Sequence, residues 1–311
     1  MKTPLIISFL LFLAGCSNDS DIEYTKEWVE IKSPTSNILT DVEFLNDNFG
    51  VISGAFGTLL KTENGGQNWQ TLNVGINHSF VKTFILNKNE FFTSRIGLYK
   101  TSNNGSSFNE LGGLSDYAGT IFDIHFFNSN NGIVSKGGLI LKTNNGGHQW
   151  NIVYNNAGFS KKMQFVSDNF GFISGGRTYD GNSTGEIHKT IDGGNHWTQI
   201  NIQTSEITSM YFLDNQIGYI SNYKHQISKT ENGGEIWKII SKPPVIFYDM
   251  IFLDKKEGYA VAYNEIYKTI NGGIDWISDY KNSSTIFSSI SKTPNGIIFV
   301  VGNDGKILSK K

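Results

Sequence analysis

Cysteine, proline and arginine are nearly missing from this chain. Of its 311 residues one is Cys (Cys16), five are Pro, and only Arg95 and Arg177 are Arg. A single thiol excludes a disulfide scaffold. The formal charge of −2, from 26 Lys+Arg against 28 Asp+Glu, supplies no positive field for a nucleic-acid backbone, so no nucleic-acid partner is expected. Charged residues make up 17% and aromatics 13%, the reverse of a disordered composition. No stretch of the mature chain sustains a 3.6-residue apolar period, which excludes a helical architecture. The six His show neither HxH nor HxxxH spacing, and no Gly-x-Ser-x-Gly is present, so no metal, cofactor or catalytic residue is expected. What abounds is Gly, 34 of them, together with Asn. Both favour turns, and the composition reads as all-β with many tight connections.

The N-terminus reads as an address. Lys2 precedes an apolar stretch from Leu5 to Leu13 that is too short to span a bilayer, and Ala14 and Gly15 are the small residues of a cleavage site. The run Leu13-Ala14-Gly15-Cys16 resembles a bacterial lipobox, in which the cysteine is acylated. The expectation is a signal peptide over residues 1–15, lipidation at Cys16 and a lipid-anchored linker over 16–24. This places the protein in the bacterial cell envelope, held to the membrane by its lipid. The acidic Asp19, Asp21 and Glu23 loosely resemble surface-export signals of some bacterial lipoproteins, which adds the outer membrane or cell surface as destinations.

Residues 61–69, 142–150, 189–197, 229–237 and 268–276 are copies of one motif, Lys-Thr-x-Asn/Asp-Gly-Gly-x-x-Trp, and 100–108 is a sixth ending in Phe. The closing rings are Trp69, Phe108, Trp150, Trp197, Trp237 and Trp276, spaced by 39, 42, 47, 40 and 39 residues. That period is one four-stranded propeller blade. The first strand is read as a nearly continuous apolar run in most repeats. After Trp276 the chain supplies three strands, and Trp28-Val29-Glu30-Ile31 matches the missing fourth. The predicted fold is a seven-bladed β-propeller over residues 25–311, its last blade closed by an N-terminal strand. In each box Thr and Asn or Asp can accept backbone N–H groups, Gly supplies a positive φ, and Trp packs between blades.

The box resembles the Asp-box of bacterial neuraminidase repeats, where it is structural. The whole repeat, including Phe212-Leu213-Asp214 followed by Gly218-Tyr219, resembles the photosystem II stability and assembly factor family over residues 25 to 311. That resemblance implies a non-enzymatic, chaperone-like propeller binding a membrane protein or its precursor through an arginine-rich surface. With two arginines the chain also lacks the arginine triad of a sialidase. A single propeller lacks the second wall of the tandem-propeller glycosidases. The protein partner itself is unknown from sequence. The rival reading is a carbohydrate-binding or glycan-degrading surface lipoprotein with a glycan ligand.

Connections from second to third and from fourth to first strands should emerge opposite the boxes. They carry Phe56, Arg95, Lys136, Arg177, Tyr179, Tyr223, His225 and Tyr263, with Tyr117 between blades. Aromatics and arginine are hot-spot residue types, so Arg95, Arg177, Tyr179, Tyr223, His225, Tyr263, Tyr117 and Phe56 are the expected partner-binding residues. The segment 177–184 is read as the longest inserted loop. Because the closing strand begins on the box face, the membrane is expected nearer that face.

Overall fold

The computed structural model describes residues 27–155, 157–179 and 182–311; Cys16 and the expected signal and linker lie outside the described residues. Seven four-stranded antiparallel sheets follow one another in chain order, and no helix occurs among the described residues. Blade 1 comprises Leu39–Phe44, Gly50–Gly54, Leu59–Thr62 and Gln70–Thr71. Blade 7 comprises Phe287–Lys292, Ile298–Gly302, Ile307–Lys310 and the N-terminal Val29–Glu30. Val29 pairs with Ser309, Glu30 pairs with Leu308, and the Ile31 N–H donates to the Ile307 carbonyl at 2.9 Å. The ring is thus closed as the sequence predicts.

A repeated aromatic wedge joins the blades. The last residue of a first strand lies opposite the glycine that opens the second, as in Phe44 with Gly50, Phe126 with Gly132 and Phe212 with Gly218. A Cβ on Gly218 would sit 2.4 Å from the Phe212 ring, so only glycine leaves room for it. Phe212 then stacks on Phe172 of blade 4 at 3.7 Å, Phe252 on Tyr219 of blade 5 at 3.7 Å, and Phe126 on Phe92 of blade 2 at 4.1 Å. The box Trp meets the same ring edge-on: Trp150 with Phe126, Trp237 with Phe212 and Trp276 with Phe252, all near 6 Å. Trp150, Trp197 and Trp276 also donate their indole N–H to the second box glycine's carbonyl, at 3.0 to 3.2 Å.

Each box is a self-satisfied turn. Thr62 Oγ1 accepts the Gly66 N–H at 2.9 Å and donates to Asn64 Oδ1, which accepts the Asn68 N–H at 3.0 Å. The same bonds recur at Thr101, Thr143, Thr190, Thr230 and Thr269. Gly66 holds φ at 78°, a conformation that favours glycine.

The first strands correct the sequence reading. They are not continuously apolar: Asp41, Thr83, Asp123, Ser209, Asp249 and Ser289 are buried within them. The carboxylates stitch neighbouring blades together. Asp41 accepts the Thr83 N–H at 2.9 Å, Asp123 the Met163 N–H at 2.7 Å, and Asp249 the Ile290 N–H at 3.1 Å. Lys82 pairs with Asp41 at 3.2 Å and Lys162 pairs with Asp249. Beside them sits Glu43, whose Oε2 has no hydrogen-bond partner; burial pushes its pKa up to about 8, against the opposing pull of Lys82.

Two outcomes follow from this architecture. Deleting residues 25–32 removes the strand that pairs with Ile307–Lys310 and the Trp28 ring between blades 6 and 7. The truncated chain should lose cooperative unfolding or aggregate through the new edge; a melting curve matching the parent would contradict the closure. For Glu43, the native state holds a proton that the unfolded chain releases above about 4.5. The native state therefore binds more protons between about 4.5 and 8, and stability falls as pH rises through that window. Glu43→Gln removes this penalty, so the melting-temperature advantage of the variant should grow by a few degrees between pH 5 and pH 8.5. A constant difference across that range would contradict the assignment.

Candidate functional site: the face opposite the boxes

The geometry divides the connections between two faces. Boxes and first-to-second turns share one, and their backbone groups are taken up by Asx-type bonds such as Asp214 Oδ1 accepting the Gln216 and Ile217 N–H groups. The other face is built from second-to-third turns and fourth-to-first connections. It gathers exposed apolar side chains in an arc over blades 5, 6, 7, 1 and 2: Tyr223, Tyr248, Tyr263, Ile286, Phe56 and Ile96, with Ile38 beside them. Tyr263, Ile96 and Phe56 are 58, 65 and 72% exposed, so among the described residues most of each side chain faces solvent.

Phe56 is held against its own preference. The turns Ala55-Phe56-Gly57 in blade 1 and Asn303-Asp304-Gly305 in blade 7 are equivalent, with Phe56 at φ 53° and Asp304 at φ 54°. Asp-Gly is an ordinary occupant of such a hairpin turn. An aromatic residue in the left-handed region is strained by about 1 kcal/mol or more, and strain of this kind concentrates at functional sites. His225 occupies a left-handed position as well, at φ 59° in the turn of blade 5, with Tyr223 exposed two residues before it.

Arg95 and Arg177 differ in setting. Arg95 is half-buried at the blade 2 turn, where its carbonyl accepts the Ile121 N–H at 2.5 Å. Beside it a cavity of about 410 Å³ is lined by Ile96, Gly97, Glu110, Leu111 and Leu114. Arg177 is 44% exposed and its Nε donates to Glu186 Oε1 at 3.0 Å. Glu186 Oε2 in turn lies 3.5 Å from Nε2 of fully buried His188, whose pKa is pulled down by burial against the raising effect of Glu186. The arginine is therefore the outer member of a buried polar cluster as well as a surface group.

Three expectations are revised. The segment 177–184 is an extension of two strands, Gly171–Tyr179 and Asn182–Thr190, paired through Arg177 with Thr184 and Tyr179 with Asn182. It is a projecting hairpin rather than a loop, and of Tyr179 only this backbone position is described. Lys136 is 1% exposed and donates to the Ile96 carbonyl at 2.6 Å, latching blade 3 to blade 2. Tyr117 is half-buried against the blade 2–3 core and donates its hydroxyl proton to the Trp150 carbonyl at 3.2 Å, so part of its side chain is taken up within the fold. Sequence reasoning missed Ile96, Tyr248 and Ile286. Their signal was an apolar residue inside a turn or blade connection. The structure thus brings Phe56, Tyr223 and Tyr263 onto one exposed arc, with Arg95, His225 and Arg177 on the same face.

No group of three or more His, Cys, Asp or Glu able to hold a metal occurs among the described residues. Sequence and structure comparisons agree with this architecture. Residues 20–156 match the family described as "Photosynthesis system II assembly factor YCF48". The chain is 36% identical over 76 residues to the Photosystem II assembly lipoprotein Ycf48 of a Nostoc species; the match covers 24% of this chain and 22% of that relative. Among solved structures it is similar to YCF48 from Cyanidioschyzon merolae, with a TM-score of 0.77, 17% identity, and coverage of 91% of this chain and 98% of the other. A structure of YCF48 bound to D1 peptide gives 0.76 and 19% over 91% and 96%. An ancestral GH74 enzyme gives 0.69 and 15%, and there this chain spans 89% of itself but 45% of the enzyme. The chain is a seven-bladed β-propeller of the shape seen in YCF48, and its N-terminal half carries the sequence resemblance to that family.

Proposed function

We propose that the chain is a non-enzymatic, lipid-anchored propeller that serves as a protein-binding and assembly platform at a bacterial membrane. The observation that carries this reading is the exposed apolar arc on the face opposite the boxes. Its composition is that of a binding surface: rigid tyrosines, a strained phenylalanine and branched aliphatic tips, rimmed by Arg95 and Arg177. A propeller of this shape is described with D1 peptide bound, which supports a peptide segment as the ligand; the partner in this reading is a membrane protein or its precursor. A signal peptide over 1–15, lipidation at Cys16 and a linker over 16–24 complete the reading, and the relatives' description as lipoproteins supports it. The closing strand starts on the box face, so an anchor preceding it leaves the apolar arc pointing away from the membrane.

An enzymatic role finds no support in the arrangement. The carboxylates Asp41, Asp123 and Asp249 accept backbone N–H groups between blades, and Lys82 and Lys162 pair with Asp41 and Asp249. A glycosidase needs two carboxyl groups facing a cleft with room for a sugar. The GH74 neighbour is more than twice as long as the matching propeller.

Separating fold from function is then direct. Tyr263→Ala and Phe56→Ala should leave the melting temperature within a degree or two of the parent, because both side chains are exposed and Ala keeps the same Cβ in the left-handed turn at 56. Each should weaken capture of the partner from solubilised membranes by roughly 10- to 30-fold, the range of a hot-spot truncation. Trp237→Ala removes a ring wedged on Phe212 and should cost about 3 kcal/mol of stability. Arg177→Ala should affect both properties, because it leaves Glu186 buried without its cation at a cost of about 1–3 kcal/mol. Unchanged partner capture in both arc variants, or specific signals on a glycan array, would overturn the protein-platform reading.

A further inference from the structure

A second concavity, larger than the one beside Arg95, lies on the box face, away from the apolar arc. It opens between blades 5 and 6 with a volume of about 660 Å³. Ile236 and Ile270 belong to the boxes of the two blades, and Ile274 follows the glycines of the second. All three stand more than half exposed at the groove, where a structural turn has no need of a branched aliphatic side chain. Lys238, Lys255 and Lys256 border it and make no ion pair among the described residues, whereas Lys229 is engaged by Glu231 at 2.7 Å. The groove therefore presents an apolar wall under a surplus of positive charge. Its complement is a short segment that alternates carboxylates with apolar side chains.

Such a segment exists in this chain, and its attachment point is close. Residues 19–24 read Asp-Ser-Asp-Ile-Glu-Tyr, three carboxylates interleaved with Ile22 and Tyr24. The described chain starts at Glu27 on the box face. The Trp28 indole N–H donates to Asp279 Oδ2 at 2.7 Å, and the ring packs on Tyr259 and Tyr280, all in blade 6, the blade whose box forms one wall of the groove. At about 3.3 Å per extended residue, positions three to eight before Glu27 reach roughly 10 to 26 Å from it, enough to cross from the blade 6–7 boundary to the neighbouring groove. A tether this short also gives the segment a high effective concentration at the groove.

We propose that the groove between blades 5 and 6 is the docking site of the chain's own segment 19–24, with Asp19, Asp21 and Glu23 meeting Lys238, Lys255 and Lys256 and Ile22 set among the three isoleucines. Docking lays the tether across the box face and shortens its free length. It fixes the tilt of the propeller and keeps the opposite arc facing away from the attachment point. The inference does not depend on acylation of Cys16, because it rests on the groove and the segment alone.

The test uses the full chain carrying Cys16→Ser, which has no other cysteine. Two cysteine pairs are introduced: Ile22→Cys with Ile274→Cys in the groove, and Ile22→Cys with Ile191→Cys, an exposed position on the blade 4 box of the same face. Under mild oxidation the intramolecular 22–274 disulfide should form at least tenfold faster than 22–191. Raising the salt from about 0.05 to 0.5 M should slow it severalfold through screening. Lys238→Glu, Lys255→Glu and Lys256→Glu together should slow it about tenfold, and changing Asp19, Asp21 and Glu23 to Lys in that background should restore it. Melting curves establish that each variant is folded, and the salt series tests the same contact without any charge substitution. Equal rates for the two pairs, a 22–274 rate indifferent to both salt and charge reversal, or disulfide-linked dimers in place of the intramolecular product would each overturn the proposal.

Discussion

Everything in this molecule depends on the aromatic contact between one blade and the next. A four-stranded sheet of this size has two faces to cover and no helix to cover them, so each blade is stable only against its neighbours. The ring at the end of each first strand does this in most blades, lying over the cross-strand glycine of its own sheet and on an aromatic ring of the preceding one. The box Trp then seals the outer side of the same ring. Blades that are stable only against their neighbours tolerate no incomplete sheet, and this is why three C-terminal strands require Val29–Glu30 to complete theirs.

The same contact explains why the two faces have different freedom. The box turn must deliver Trp to its ring at a fixed place, and Thr, Asn and Gly hold that geometry by internal bonds repeated six times. Connections on the opposite face carry no such duty. They range from the three-residue turn at Phe56 to the projecting hairpin that ends in Tyr179, and they accept an aromatic residue in a left-handed conformation. Variation collects where packing does not forbid it, and binding surfaces are built from such positions.

Much of this was legible in the sequence because the wedge and the box leave a fixed spacing of Trp, Gly-Gly and Thr. Trp28 identified the closing strand by the same period. Polar residues inside first strands were not legible: Asp41 and Asp123 resemble surface residues in a string of letters, and only the ring of seven first strands shows that their partners are N–H groups about 40 residues away. Side chains at turns were ambiguous for a related reason. Lys136, Tyr117 and Tyr263 all sit in connections, yet Lys136 turns inward to a carbonyl, Tyr117 reaches the Trp150 carbonyl and Tyr263 meets solvent. Local sequence sets where a connection falls, and the neighbouring blade decides which way its side chains go.

The polar core also bears on the proposed binding role. An apolar channel would leave the first strands free to slide past one another, because apolar contacts are non-directional. Carboxylates that accept named N–H groups across blade boundaries fix the register of one first strand against the next, with Lys82 and Lys162 paired to two of the three. Such a network is costly to disturb once satisfied, and it confers rigidity more than net stability. Rigidity is what an arc of separate side chains spread over five blades requires. Tyr223, Tyr263, Phe56 and Ile96 belong to four different sheets, and they can meet one partner together only if those sheets keep their relative positions when the partner arrives.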